Sequence, residues 1–209
     1  MAGIVAGQTH NSKGIAAIGY NCKMIPIKTA NSSYSLTRAF VGLDYAINST
    51  TCDIINMSWG GSGSSATYQT LFNIAKSKGI ISLAAAGNRN TWSLMYPVSY
   101  SHVINVAASG TSDARASFSN YGPAIDVTAP GVGILSSVTT SLTAYGTKSG
   151  TSMASPLVAG LCALMKCYNP MPADSIEACL KRTCDNVDAP NPSFIGQLGA
   201  GRVNALQAL

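Results

Sequence analysis

The chain has 209 residues, of which 46% are hydrophobic and only 10% are charged, which fits one compact domain and excludes a disordered protein. Its net charge of +5 comes from 13 basic and 8 acidic residues that are scattered along the sequence, so we expect no nucleic-acid partner. We expect no membrane partner either, because no apolar run approaches the length of a bilayer span.

The predicted elements alternate between strands and helices along the whole chain. Short apolar runs predict strands over residues 23–27, 53–57, 80–85 and 103–108. Helical periodicity, with a glycine stop at Gly79, predicts helices over residues 35–48, 66–78, 151–168, 173–183 and 203–209. Strands separated by helices indicate parallel βαβ units. We therefore predict an α/β fold, with a mostly parallel sheet flanked by helices, in one domain covering residues 1–209.

Six cysteines allow disulfides in 15 possible pairings. Their spacing lacks a zinc-site pattern, and both histidines are distant in sequence. Cys162 lies within an apolar helix, which is typical of a buried thiol. Cys167 and Cys184 end two successive predicted helices, so a bridge between them would join an antiparallel helix pair.

Ser152 lies between a glycine-rich turn and an apolar helix, in the segment Ser149-Gly-Thr-Ser-Met-Ala-Ser-Pro156. A hydroxyl at a helix N-terminus is close to unpaired backbone N–H groups and to the positive end of the helix dipole. Such a site stabilises the negative charge that develops when a serine attacks a carbonyl. The alternative is that Ser152 only caps the helix.

Two further segments place small or polar residues at strand ends. In Ser82-Leu-Ala-Ala-Ala-Gly-Asn88, the small residues Ala84–Ala86 leave room for a substrate side chain, and the amide of Asn88 can donate two hydrogen bonds. In Asp53-Ile-Ile-Asn-Met-Ser-Trp-Gly-Gly61, an edge segment could bind a peptide by strand addition. Simpler interpretations are a turn at Gly87-Asn88 and core packing for Trp59.

These three segments resemble motifs of the subtilases, the subtilisin-like serine proteases. The stretches Arg115–Pro123, Asp126–Gly131 and Gly199–Leu206 also resemble that family, so the similarity covers almost the whole chain. The resemblance implies that Ser152 is the nucleophile and that Asn88 and the N–H of Ser152 form the oxyanion hole. It implies one substrate-binding wall at Ala85, Ala86 and Gly87. It implies a second wall, which pairs with the substrate backbone, at Ser58, Trp59 and Gly60.

The family's triad runs Asp, His, Ser along the chain. Residues 1–7 resemble the helix that follows the family's histidine, so we expect an N-terminally truncated subtilisin-like fold that lacks the triad Asp and His. His10 and His102 are poor substitutes, since one lies in a polar loop and the other opens a strand. Among the acids, Asp44 falls on a helix, Asp113 on a surface turn and Asp126 in a structural loop, and none suits the triad. We expect the isolated chain to be unstable and inactive, because a free serine hydroxyl is a weak nucleophile.

The family also implies a polypeptide substrate, an extracellular location and, in many members, calcium. Residues 1–7 have no basic residue and do not form a signal peptide. Lys13 places a positive charge in the loop corresponding to a family calcium site, so we expect no metal and no other cofactor. The missing N-terminal segment or another chain is a possible partner, because the expected gap leaves unpaired sheet edges.

The sequence bears on three other functions. A pseudoprotease that binds peptides without cleaving them remains the main alternative to a secreted endopeptidase. A nucleotide-binding protein is excluded because Gly131-Val-Gly-Ile-Leu-Ser136 lacks the third glycine of a dinucleotide fingerprint. The sequence does not indicate an α/β-hydrolase, since residue 154 is alanine and no Gly-x-Ser-x-Gly elbow surrounds Ser152.

Overall fold

The computed structural model describes residues 1–33, 35–93, 95–141 and 143–209. In chain order, the helices α1 to α6 are Ala2–Ala6, Ala39–Ser49, Ala66–Ser77, Thr151–Tyr168, Ala173–Arg182 and Ala205–Ala208. The strands β1 to β6 are Ile54–Met57, Ile81–Ala85, Val103–Ser109, Val127–Pro130, Ile134–Ser137 and Tyr145–Lys148. A short 3-10 helix covers Pro192–Phe194.

Strands β1 to β4 form a parallel sheet in the order of the sequence, with Ile54 opposite Ile81 in β1–β2 and Val106 opposite Val127 in β3–β4. The predicted α/β fold with a parallel sheet is therefore confirmed. Helix α3 connects β1 to β2, but the described residues between β2 and β3 and between β3 and β4 contain no helix. These two connections are long loops.

Two apolar clusters lie on opposite faces of the sheet. Leu83 and Val106 point into one cluster with Val158 and Leu161 of α4. The other cluster contains Met57 of the sheet together with residues of α2 and α3. Burial of β2 and β3 on both faces explains their continuous apolar sequences. Helix α4 thus packs beneath the sheet and holds its N-terminus near the carboxyl ends of β1 and β2.

Helix α4 has the predicted bounds, and most other elements agree within a few residues. Helix α2 begins at Ala39, four residues later than predicted, because the Asn31 side chain and the Thr29 carbonyl accept bonds from the preceding backbone N–H groups. The last helix covers only Ala205–Ala208, since the Asn204 side chain caps it by accepting from the Gln207 N–H at 3.1 Å.

The predicted strand at residues 23–27 is absent from the structure. This segment joins no ladder, and its Met24 and Ile25 are 46% and 48% exposed. A strand needs a hydrogen-bonded neighbour, and β1 pairs only with β2 among the described residues. Conversely, the sequence does not predict β4 or the antiparallel β5–β6 hairpin, because these segments mix polar and apolar residues without a clear period.

The proposed Cys167–Cys184 bridge is wrong, because all six cysteines are free. The Cys184 thiol lies against the Leu180 carbonyl at 3.2 Å, within the turn that ends α5, whereas Cys167 is exposed near the end of α4. Cys162 is completely buried, as predicted. None of the described helices combines the length and apolar character needed to cross a bilayer.

Candidate active site

Ser152 and Ser58 join the start of α4 to the end of β1. The Ser152 hydroxyl donates to the Ser58 carbonyl at 3.1 Å, and the Ser58 hydroxyl donates to the Ser152 carbonyl at 3.1 Å. Ser152 is the second residue of α4 and is partly buried. This reciprocal pair fixes the predicted nucleophile beside the predicted substrate-binding segment.

A row of hydrogen-bonded polar side chains lies behind this pair and is not predicted by the sequence analysis. The Ser155 hydroxyl donates to Asn56 Oδ1 at 2.7 Å, and Asn56 Nδ2 donates to the Ser58 hydroxyl at 3.0 Å. Ser155 is fully buried one turn after Ser152. The signal available in the sequence was a lone asparagine within the apolar run Ile54-Ile-Asn-Met57, because a buried amide needs hydrogen-bonding partners.

Asn88 is held by Thr151, the first residue of α4. Asn88 Oδ1 accepts from the backbone N–H and from the hydroxyl of Thr151, each at 2.9 Å. The same hydroxyl accepts from the Gly87 N–H at 3.0 Å. Since the carbonyl end of the amide is engaged, the NH₂ end is the free end, and it has no acceptor in the described part of the chain.

The two predicted oxyanion donors therefore lie at the N-terminus of one helix. The Ser152 N–H has no acceptor among the described residues, as is usual in the first turn of a helix. The 18-residue helix α4 adds the positive end of its dipole at this point. With the exposed NH₂ of Asn88, the site presents donors and a positive potential to an anionic oxygen.

Asn120 supports the loop that carries Asn88. Its Oδ1 accepts from the N–H groups of Arg89 and Thr91 at 2.9 and 3.3 Å, and its Nδ2 donates to the Ala86 carbonyl at 2.8 Å. Its backbone N–H donates to the Gly87 carbonyl at 2.9 Å. Because Asn120 is only 3% exposed, these bonds are shielded from water. One buried side chain thus braces the loop on both sides of Asn88.

The second wall runs along Ser58, Trp59 and Gly60. Trp59 is partly exposed and packs against the α2–α3 side of the sheet, which agrees with the core-packing interpretation. Just beyond this wall, Gly61 and Tyr96 exchange two backbone hydrogen bonds at 2.9 and 3.0 Å. This bridge brings the preceding residue, Met95, beside Gly60.

The structure places the predicted wall at Ala85, Ala86 and Gly87 mostly below the surface. Ala85 and Ala86 are 7% and 3% exposed, and the Ala86 side chain packs with Ala107 and Ile125. Gly87 is partly exposed and adopts φ +104°, a left-handed conformation that favours glycine. Gly87 is therefore the member of this wall that reaches the surface.

Neither histidine reaches Ser152 within the described residues. His10 contacts the ring of Tyr20, and His102 is exposed in the turn before β3. Asp113 pairs with Arg202 at 2.8 Å, and Asp126 pairs with Lys181 at 2.7 Å, so both acids are engaged elsewhere. Among the described residues, the site contains Ser152 and its two predicted oxyanion donors but no general base in contact with them.

The loop expected to correspond to a calcium site does not suit a cation. It lines a cavity of about 280 Å³ that includes Lys13 and His10 but no carboxylate. Asn11 Oδ1 already accepts from the Lys13 N–H at 3.0 Å. No group of three or more potential His, Cys, Asp or Glu ligands occurs among the described residues. Calcium prefers several oxygen ligands, which this loop does not provide.

Comparison with known proteins identifies the family to which the chain is similar. Residues 1–201 match the peptidase S8 family, described as the subtilase family. The chain is 37% identical over 211 residues to a thermophilic serine proteinase of Bacillus sp. (strain AK1), covering 100% of this chain and 51% of that protein. It is 36% identical over 210 residues to thermitase of Thermoactinomyces vulgaris, covering 100% of this chain and 72% of that protein.

Among solved structures, proteases from Pseudoalteromonas arctica superpose with a TM-score of 0.89 at 38% identity. That match covers 99% of this chain and 68% of the other chain. The chain thus spans about half the length of several relatives, including 51% of the Bacillus proteinase.

Proposed function

The chain belongs to the subtilase family, and from this premise we propose that it carries the nucleophile and oxyanion hole of a serine endopeptidase. The observation that supports this most directly is that Asn88 Oδ1 accepts two hydrogen bonds from Thr151. It leaves the amide NH₂ as a donor beside Ser152. A helix cap alone would not need an amide from the loop after β2, 63 residues away, aligned with it.

In the proposed reaction, Ser152 Oγ attacks the carbonyl carbon of a substrate peptide bond. The carbonyl oxygen then becomes an oxyanion, which accepts hydrogen bonds from Asn88 Nδ2 and the Ser152 N–H. Because these donors are held before the substrate arrives, they need little reorganisation during the reaction. The polypeptide substrate would lie extended along Ser58–Gly60, where strand addition would align its backbone.

The proposed reaction also needs a base to remove the Ser152 proton. No described residue occupies that position, since the Ser152 hydroxyl donates to the Ser58 carbonyl. We therefore assign the histidine and its partner aspartate to polypeptide beyond these 209 residues. The chain alone would be inactive, because an unactivated serine is a poor nucleophile.

The lack of a base beside Ser152 among the described residues also favours a second candidate function. This function is that of a pseudoprotease, which binds a peptide or partner protein without cleaving it. Both candidates use the Ser58–Gly60 wall and differ only in whether a base completes the site.

Under either candidate function we propose a single peptidase-type domain over residues 1–209 and an extracellular location. A relative from Xanthomonas campestris is named an extracellular protease.

The first test is the intact mass and N-terminal sequence of the native protein from its source. A mass well above 21.5 kDa, with Asp and His motifs ahead of Met1, supports the protease. Peptide hydrolysis by that protein should disappear in Ser152→Ala. A native protein that starts at Met1, binds peptides and cleaves none would support the pseudoprotease instead. Turnover by the purified 209-residue chain, lost in Ser152→Ala, would overturn its proposed inactivity.

A further inference from the structure

Pro156 removes one hydrogen bond from the start of α4. In an α-helix the carbonyl of each residue accepts from the N–H four residues later, so the Ser152 carbonyl would ordinarily accept from residue 156. That residue is a buried proline inside the helix, and proline has no N–H. The carbonyl of the predicted nucleophile therefore lacks its usual helical donor.

The Ser58 hydroxyl supplies a donor to this carbonyl from the end of β1. It donates to the Ser152 carbonyl at 3.1 Å, and the Ser152 hydroxyl donates to the Ser58 carbonyl at 3.1 Å. Ser152 is partly buried, and a backbone carbonyl shielded from water needs a partner. The Ser58 hydroxyl thus replaces the bond that Pro156 removes, and it ties the position of Ser152 to the neighbouring strand.

Asn56 determines the direction of the Ser58 hydroxyl. Asn56 Nδ2 donates to the Ser58 hydroxyl oxygen at 3.0 Å, which leaves the hydroxyl proton for the Ser152 carbonyl. Asn56 Oδ1 accepts from the fully buried Ser155 hydroxyl at 2.7 Å, and this bond fixes the orientation of the amide. All three donations run in one direction and end at the Ser152 carbonyl, and hydrogen bonds in such a series strengthen one another.

We propose that Asn56 is a positioning residue for Ser152 and acts through the Ser58 hydroxyl. This inference rests on the proposed function. Without the amide, the Ser58 hydroxyl turns away from the Ser152 carbonyl, and Ser152 shifts relative to a substrate bound along Ser58–Gly60. A displacement of about 1 Å between reacting atoms lowers the rate of a reaction by about 100-fold.

The test measures kcat and KM for a tetra-alanine p-nitroanilide in the intact native protein and its variants. Asn56→Ala removes the amide, and Asn56→Leu removes it while keeping most of the volume, in case the alanine variant does not fold. The matched control is Asn105→Ala, which removes a buried amide of β3 that donates to the Ala124 carbonyl. Urea midpoints would establish that the compared proteins are folded.

Both Asn56 variants should lower kcat by about 10-fold or more and change KM by less than about 3-fold, because the loss affects attack and not substrate binding. A readout without turnover is the affinity for a tetra-alanine boronic acid, which adds to a serine hydroxyl. This affinity should fall by a similar factor, whereas the affinity for the same peptide with a free carboxyl end should change little. Asn105→Ala should lower the urea midpoint and leave kcat unchanged.

Pro156→Ala provides an independent readout by rescue. It returns an N–H to the helix at the place that faces the Ser152 carbonyl, so the helix itself can supply the donor. In the Pro156→Ala background, Asn56→Ala should therefore cost less than about 3-fold in kcat, whereas two independent effects would simply add.

The outcomes separate this inference from the proposed function. If wild type is active and both Asn56 variants keep its kcat, or if Asn105→Ala lowers kcat equally, the role of Asn56 is overturned and the protease proposal is left intact. An undiminished loss in the Pro156→Ala background does the same. In a protein that binds without hydrolysis, the ratio of the boronic acid and carboxylate affinities decides in the same way. If wild type neither hydrolyses the peptide nor prefers the boronic acid, the proposed function fails and the inference fails with it.

Discussion

Asn88 Oδ1 accepts two hydrogen bonds from Thr151, one from its backbone N–H and one from its hydroxyl, both at 2.9 Å. These two hydrogen bonds orient the Asn88 amide because they occupy its acceptor oxygen. The Gly87 N–H donates to the same Thr151 hydroxyl at 3.0 Å. Thr151, the residue before Ser152, thereby sets the direction of the Asn88 NH₂ group, the proposed oxyanion donor.

Replacing Thr151 with valine should disorder the Asn88 amide. The variant keeps the side-chain shape but removes the hydroxyl, so Asn88 Oδ1 loses one donor and the Gly87 N–H loses its acceptor. In protein that hydrolyses peptides, we expect kcat to fall by about 10-fold or more with little change in KM, because the lost contact acts on the oxyanion. Thr151→Ser, which keeps the hydroxyl, should retain most of the activity; equal losses in both variants would contradict this role.

Asn120→Ala should loosen the loop that carries Asn88. The substitution leaves the Arg89 N–H and the Ala86 carbonyl without this partner, and each buried polar group that loses its partner costs about 1–3 kcal/mol. We expect a lower free energy of unfolding and faster hydrogen exchange at Arg89 and Thr91. The control is Asn186→Ala, which removes an exposed asparagine whose side chain forms hydrogen bonds only with Asp188, two residues along the chain. Unchanged exchange at Arg89 would show that Asn120 does not brace the loop.

Gly160→Ala should destabilise the contact between α4 and the turn before Cys22. An added Cβ would come within 2.3 Å of Ile18 Cγ2 and 3.1 Å of the Gly19 nitrogen. Overpacking of this kind costs about 1–3 kcal/mol, measurable as a shift in the urea midpoint. Gly61→Ala is the control, because nothing lies within 4 Å of its added Cβ. Equal midpoints for the two variants would mean that α4 can shift to accommodate the methyl group.

The buried thiol of Cys162 should make the fold sensitive to alkaline pH. Burial, with a smaller contribution from Glu177, raises the pKa of Cys162 from 9.0 to about 12. The folded state therefore favours the neutral thiol, and its stabilisation is complete below pH 9 and is lost as the pH rises from about 9 towards 12. Urea midpoints measured across this range should fall less steeply in Cys162→Ala, which has no thiol to ionise. Parallel curves for the two proteins would exclude this contribution.

Local patterns were sufficient to predict helix α4 and the place of Ser152 at its start. Helical periodicity and a glycine-rich turn are properties of neighbouring residues, so they can be recognised without knowing the tertiary structure. The same is true of β2, whose apolar run reflects burial on both faces. Residues 23–27 show the limit of this reasoning, because an apolar run becomes a strand only where another strand pairs with it.

The arrangement of the candidate site was decided by the tertiary structure. Ser58 and Ser152 are 94 residues apart in sequence, and no local pattern predicts that they exchange hydrogen bonds. The sequence also could not indicate that Met95 lies between Gly60 and Gly87, since that position depends on the Gly61–Tyr96 bridge. By itself the sequence determined the family, the fold class and the nucleophile candidate. Folding alone decided the direction of the Asn88 amide and the place of Met95 beside Gly60 and Gly87, because both depend on contacts between distant segments.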